Sequence, residues 1–158
     1  MGKPTPHQVG RAGEHFVAGE ILRRGGHAST FAGNMPDIDV LAADKRQDRT
    51  VWIQVKTKRG GRTWQSSITR GRVREPEGNP VRFWIFVDLA PADPDYYVMP
   101  EWWIENDIHD AHLRYLDRHG GQRAKTKDSK HHAIPLERVA EWRDRWDLLG
   151  IFDIGADG

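Results

Sequence analysis

Val81 to Leu89 (Val-Arg-Phe-Trp-Ile-Phe-Val-Asp-Leu) is the most hydrophobic run in the chain. Successive side chains of a strand point to opposite faces, so a half-buried strand alternates apolar with polar residues. This run is apolar at nearly every position, which predicts a central strand covered on both faces. A layer of structure must then lie on each side of the sheet that contains it. Gln8 to Arg24 reads as a helix ended by Gly25-Gly26, and Glu101 to Arg118 as one that starts after Pro100 and closes at Gly120-Gly121. His27 to Phe31, Asp37 to Leu41, Val51 to Thr57 and Tyr96 to Met99 read as further strands, and Pro135 to Leu148 as a last helix. A mixed sheet flanked by helices is the natural packing of that list, an α/β or α+β fold. Residues 1–100 are expected to form its core, with the helices of 101–158 packed on the same domain.

Two of these strands carry polar groups in an ordered way. They read Pro36-Asp37-Ile38-Asp39-Val40-Leu41 and Val51-Trp52-Ile53-Gln54-Val55-Lys56-Thr57, separated by the polar stretch Asp44 to Thr50, which has the composition of a hairpin loop. Alternation places Asp37 and Asp39 on one face of the first strand, and Trp52, Gln54 and Lys56 on one face of the second. Pairing of the two would bring acid, amide and ammonium groups together. The helix adds a carboxylate: by the ~100° step per residue, Val17, Ala18 and Ile21 fall within about 60° of Glu14. A carboxylate in an apolar stripe is costly unless it is paired or binds a metal. The alternative is a first-turn acid favoured by the helix dipole.

Composition narrows the classes. At 158 residues, with 37% hydrophobic and 30% charged, the chain suits one rather polar globular domain. It contains no cysteine, which removes disulfide, thiolate and cysteine–zinc chemistry and accords with a reducing cytoplasm. No apolar run approaches the roughly 18 residues of a membrane span. The net charge of +1 hides an asymmetry: residues 1–75 carry 14 Lys/Arg against 7 Asp/Glu, and residues 76–158 carry 10 against 16. The basic excess is densest just after the second polar strand, at Lys56, Lys58, Arg59, Arg62, Arg70, Arg72 and Arg74. Such a run is either a solvated loop or, with Gly60-Gly61 and Trp64 inside it, a footprint for a phosphate backbone.

Gly13-Glu14, the Pro36-Asp37-Ile38-Asp39-Val40 strand and the Gln54-Val55-Lys56 strand resemble the PD-(D/E)xK nuclease superfamily, closest to archaeal Holliday-junction resolvases and restriction-like or homing-type nucleases. The resemblance covers roughly residues 8 to 100 and implies a restriction-endonuclease-like αβββαβ core with extra C-terminal helices. It implies a magnesium- or manganese-dependent endonuclease that hydrolyses phosphodiester bonds in DNA. By this resemblance Glu14, Asp39, Gln54 and Lys56 are the catalytic residues, with the metal held by Glu14, Asp39 and Gln54. Lys56 would orient the attacking water, and Lys58, Arg59 and Arg62 would contact nucleic acid. Asp37 occupies the literal "PD" position, whereas the alignment of the motif favours Asp39. The departure is Gln54 in place of the commoner glutamate: an amide oxygen can coordinate a metal but brings no formal charge. A catalytically inactive nucleic-acid-binding module of the same fold, or a protein-interaction domain using the acidic C-terminal helices, are the alternatives. Two-fold substrates favour a homodimer, but no dimer face is legible.

Other signals read more plainly. His109 and His112 are three residues apart and His131-His132 are adjacent, without a spaced third ligand, so solvated histidines are expected over a zinc site. Trp102, Trp103, Trp142 and Trp146 are expected to pack the C-terminal helices. Lys125, Lys127 and Lys130, next to His131 and His132, either extend a phosphate-binding surface or form a polar loop. Gly155 to Gly158 reads as a frayed end.

Overall fold

The computed structural model describes residues 2–121 and 129–153, so Lys125, Lys127 and Gly155 to Gly158 lie outside the described residues. Helix α1 (Pro6–Arg23) precedes strands β1 (His27–Thr30), β2 (Val40–Ala43) and β3 (Thr50–Lys58). A short strand β4 (Thr63–Ser67) and a 3-10 turn (Ile68–Arg70) lead into β5 (Arg82–Asp88), β6 (Asp95–Pro100) and helix α2 (Glu101–Arg118). Strand β7 (His131–Pro135), the single turn α3 (Leu136–Val139) and two 3-10 turns (Ala140–Trp142 and Trp146–Leu149) follow. Five strands form one mixed sheet in the order β1-β2-β3-β5-β6, antiparallel except for the β3–β5 pair, while β4 and β7 make a separate antiparallel ribbon. No described helix is long and apolar enough to cross a membrane.

The central strand behaves as its composition predicts. Phe83 through Val87 of β5 are fully buried, and alternation divides them between two cores. Phe83, Ile85 and Val87 join Val17, Ala18 and Ile21 of α1, Val40, Val51 and Ile53 of the hairpin, and Trp146, Leu149 and Ile151 from the C-terminal segment. Trp84 and Phe86 pack on the opposite face with Trp64 of β4, Ile104 and Ile108 of α2, Ile134 of β7 and Val139 of α3. The fold is therefore a three-layer α+β arrangement, as expected. Its crossover differs from the αβββαβ pattern. Parallel neighbours usually require a helical connection, but here residues 59–81 make it with β4 and one 3-10 turn.

Two local expectations are corrected. Trp64 is not an exposed stacking surface: it is buried in the second core, and its Nε1–H donates to the Val87 carbonyl at 2.9 Å. The helix expected over Pro135 to Leu148 is broken up. Its first residue ends β7, which supplies the partner that β4 needs, pairing Ser67 with His131 through Thr63 with Pro135. Further on, Asp144 adopts φ 53° and donates its N–H to the Tyr96 carbonyl at 3.0 Å, while Arg143 bridges to Tyr97, so this stretch covers the edge of β6. Covering an exposed strand edge outweighs the local helical pattern.

Helix α1 starts two residues earlier than its periodicity suggests. Thr5 is the N-cap of a capping box: its Oγ1 accepts from the Gln8 N–H at 3.2 Å, and the Gln8 side chain accepts from the Thr5 N–H at 2.8 Å. Glu14 thus lies well inside the helix, which removes the first-turn dipole reading. The adjacent Gly13 explains how closely the helix sits on the sheet. A Cβ built there would come within 1.8 Å of Thr57 Oγ1 on β3, so only a glycine lets α1 rest directly on that strand. Gly13→Ala is expected to destabilise the fold by about 1–3 kcal/mol, the usual range for overpacking. Thr57→Ala in the same chain should recover part of the loss, as read by urea denaturation.

Candidate active site

Asp39 lies at the point where β2 and β3 part. Its backbone N–H donates to the Ile53 carbonyl at 2.9 Å, and its carboxylate Oδ2 accepts from the Val55 N–H at 2.7 Å. The side chain thus takes a β3 donor that regular pairing would give to backbone. Asp37 is not on the strand. It sits in a turn with φ 61°, a left-handed conformation that aspartate tolerates better than most residues, so the expected sharing of one strand face with Asp39 does not hold. On β3, Gln54 stands beside Trp84 and Lys56 beside Phe86 in the parallel register. That face of β3 therefore carries polar groups where β5 carries aromatic ones.

The structure brings Glu14, Asp39 and Gln54 to one small cavity of about 170 Å³, together with Arg11, Asp37 and the chain around Gly33 to Met35. Glu14 reaches it from α1 and is ion-paired with Arg11 one turn before it. Lys56 does not line this cavity; its ammonium lies 5.5 Å from the Trp84 ring centre. The charges nevertheless interact. Burial raises the Glu14 carboxyl above its ordinary value, and the neighbouring Asp39 charge raises it further. Burial likewise raises Asp39, against the Val55 hydrogen bond and the Lys56 charge, which pull it down. Burial lowers Lys56, opposed by the Asp39 charge. Two acids held up at the cavity and an amine held down beside it form the pattern found where proton affinities are tuned for chemistry.

Sequence patterning missed two arginines. Arg11 could have been found from its i,i+3 spacing to Glu14. Arg70 had no such local signal. The 3-10 turn returns it to Asp37, with NH1 at 2.6 Å from Oδ1, to the Gln54 Oε1 at 3.5 Å and to Glu101 at 3.8 Å. Its guanidinium lies 5.3 Å from the Trp84 ring centre, and Trp84 in turn donates Nε1–H to Glu101 at 3.1 Å. The expected nucleic-acid contacts fall elsewhere. Lys58 is turned inward, ion-paired with Asp88, 3.3 Å from the Gly61 carbonyl and 4.7 Å from the Trp64 ring centre. Its charge is engaged within the fold and is not offered to a ligand. Arg59 and Arg62 are exposed on the turn after β3, and Arg59 is five residues beyond Gln54, roughly 17 Å along an extended strand.

The donor set suits a hard divalent cation, which takes oxygen ligands from one or two carboxylates and keeps several waters. Glu14, Asp39 and the Gln54 amide oxygen supply such oxygens from three different elements. Among the described residues no group of three or more His, Cys, Asp or Glu side chains is placed to hold a metal ion.

No protein-family model matches the sequence, and no curated protein matches it. The fold is similar to that of a bacterial homing endonuclease, I-Ssp6803I, at 14% identity over 94% of both chains with a TM-score of 0.51. At that identity the likeness is one of architecture: the chain has a nuclease-like fold.

The raised Asp39 has a consequence for stability. The folded protein holds this proton more tightly than the unfolded chain, so the contribution is favourable below about pH 3.9 and is lost as pH rises through the raised folded value. Asp39→Asn keeps an acceptor for Val55 and removes the buried charge. In metal-free buffer it is expected to stabilise the protein at pH 7 by about 1 kcal/mol, an ordinary gain for relieving a functional site. The gain should vanish near pH 3.5. Urea titrations at the two pH values measure it.

Proposed function

We propose that this protein is a metal-dependent endonuclease that hydrolyses phosphodiester bonds in DNA, a Gln-x-Lys variant of the PD-(D/E)xK type. The observation that carries the reading is the convergence of Glu14, Asp39 and Gln54 from a helix, a strand start and a neighbouring strand on one cavity, with Lys56 coupled to Asp39. The architecture shared with a bacterial homing endonuclease supports the same reaction class.

In this reading Glu14, Asp39 and the Gln54 Oε1 hold magnesium or manganese. The bound cation would polarise the phosphoryl oxygen and lower the pKa of the attacking water. The protein's own groups do the rest. Lys56, depressed by burial, orients the water and meets the negative charge that develops on the phosphoryl oxygens. Arg70, paired with Asp37 and close to Gln54 and Glu101, holds those acceptors in place around the site. Asp39 keeps its second role of tying the start of β2 to β3, so the ligand is held rigidly. Arg59 and Arg62 are left as outlying contacts to the backbone.

One observation favours a second reading. Arg70 sits on Asp37 and approaches Gln54, which suits a nucleic-acid-binding module without turnover, its acidic site neutralised by an internal cation. Cleavage assays on supercoiled, branched and single-stranded DNA with Mg²⁺ or Mn²⁺ separate the two. The endonuclease reading expects nicking that Lys56→Ala and Asp39→Ala each reduce at least 100-fold, the scale of losing one positioned catalytic group. Undiminished cleavage in both variants, or salt-sensitive binding without any cleavage, would rule it out. Gln54→Glu is expected to lower the metal concentration for half-maximal activity at least tenfold, a decade for each 1.4 kcal/mol of added attraction.

A further inference from the structure

A roomier cavity lies away from the acidic one, between α2 and β7. It has a volume of about 500 Å³ and is lined by Arg114, Arg118, Arg138, His112, His131 and His132 among others, with no Asp or Glu on its walls among the described residues. That is unexpected in its setting, since residues 76–158 carry 16 Asp/Glu against 10 Lys/Arg. We propose that this cleft is a second phosphate-binding site, which grips the nucleic-acid backbone roughly half a dozen nucleotides from the bond that is cut. This rests on the endonuclease reading.

Three features lead to that ligand. First, the cations differ in availability. Arg138 is tied to Asp107 at 2.5 Å, and its NH1 lies 3.0 Å from the His132 Nε2. Because arginine has no acceptor, the Nε2 accepts and the neutral ring carries its proton on Nδ1. Arg138 thus braces the wall. Arg114 and Arg118, one helical turn apart on one face of α2, are exposed and, among the described residues, are not ion-paired with a carboxylate. They are the charges on offer. Second, the space exceeds a lone anion's needs: at about 30 Å³ per water the cleft holds well over ten. A sugar–phosphate segment fills it better than a free phosphate.

Third, the cleft is joined to the acidic site by a short piece of chain. His131 on its wall pairs with Ser67, the Ile68 N–H donates to the Lys130 carbonyl at 2.8 Å, and Arg70 follows two residues later. At no more than about 3.6 Å per residue, Ser67 and Arg70 are within about 11 Å. On α2, Arg114 and Arg118 lie about 20 and about 26 Å along the helix from Glu101, the neighbour of Arg70. Successive nucleotides of one strand rise about 3.4 Å, so about six to eight of them join the Arg70 turn to these arginines. Lys130, exposed between the two, completes a cationic track.

The test is DNA binding by the full chain without divalent metal, followed by fluorescence anisotropy over a range of salt, wild type against Arg114→Ala/Arg118→Ala. Alanine is the best helix former, and circular dichroism verifies that α2 persists. The expected result is a log K versus log salt slope that flattens by about 1.8, at about 0.9 for each lost phosphate contact. In turnover, KM should rise with kcat unchanged, and the difference should disappear on duplexes too short to reach the cleft. Wild-type binding with an unchanged slope in the double variant overturns the cleft while leaving the endonuclease reading intact. No wild-type binding to any nucleic acid at low salt overturns that reading and the cleft with it. Competition by micromolar inorganic phosphate at constant ionic strength would mark a free-phosphate site and also overturn the proposal.

Discussion

The structure depends on the burial of β5 from both sides. Phe83, Ile85 and Val87 anchor one core and Trp84 and Phe86 the other, so α1 and α2 are obliged to lie on opposite faces. The parallel register with β3 then decides where the polar residues fall. Gln54 and Lys56 stand beside Trp84 and Phe86, on the face that α2 covers over β5 and β6. The candidate site sits at the margin of that cover, where a packed aromatic layer meets the open end of the β2–β3 hairpin. It is dry enough to shift its carboxyls and amine, yet reachable from solvent.

Electrostatics at this margin are balanced by the protein itself. Glu14 faces Arg11 and Asp37 faces Arg70, whereas Asp39 relies on a backbone N–H and on Lys56. Asp39 is a half-buried carboxylate held by a backbone N–H and without a direct guanidinium partner, which makes it both the best ligand candidate and a burden on stability. The close seat of α1 on β3 at Gly13 holds this arrangement together, because it sets how far Glu14 reaches into the site.

Much of this was legible in the residues. The continuous apolar run announced β5, and Pro100 with Gly120-Gly121 marked the limits of α2 at Glu101 and Arg118. Alternation set Asp39 across from Gln54, and the nuclease resemblance added Glu14 from the helix. What escaped was set by tertiary contact. Alternation could not foresee that Asp37 leaves the strand through a left-handed turn, nor that Trp64, embedded among cations, would be drawn into the second core. The segment after Pro135 has helical spacing, yet covering the edges of β4 and β6 shapes it instead. Arg70 looked like one more charge in a basic run; its role comes from a chain reversal that joins residues far apart in sequence.

The crossover between β3 and β5 combines firm moorings with free surface. Trp64 is sunk in the second core, and Arg74 is fastened to the buried Glu105 at 2.7 Å, while Arg59, Arg62 and the turn bearing Arg70 lie between or beside these anchors. The register of the main sheet and the first core are fixed by elements outside residues 59–81, and Trp64 is the contribution of this stretch to the second core. Insertions and exchanges in the unanchored stretches would leave the scaffold intact while reshaping the surface that meets a ligand. The connection can vary in its outer turns while the frame beneath it stays constant.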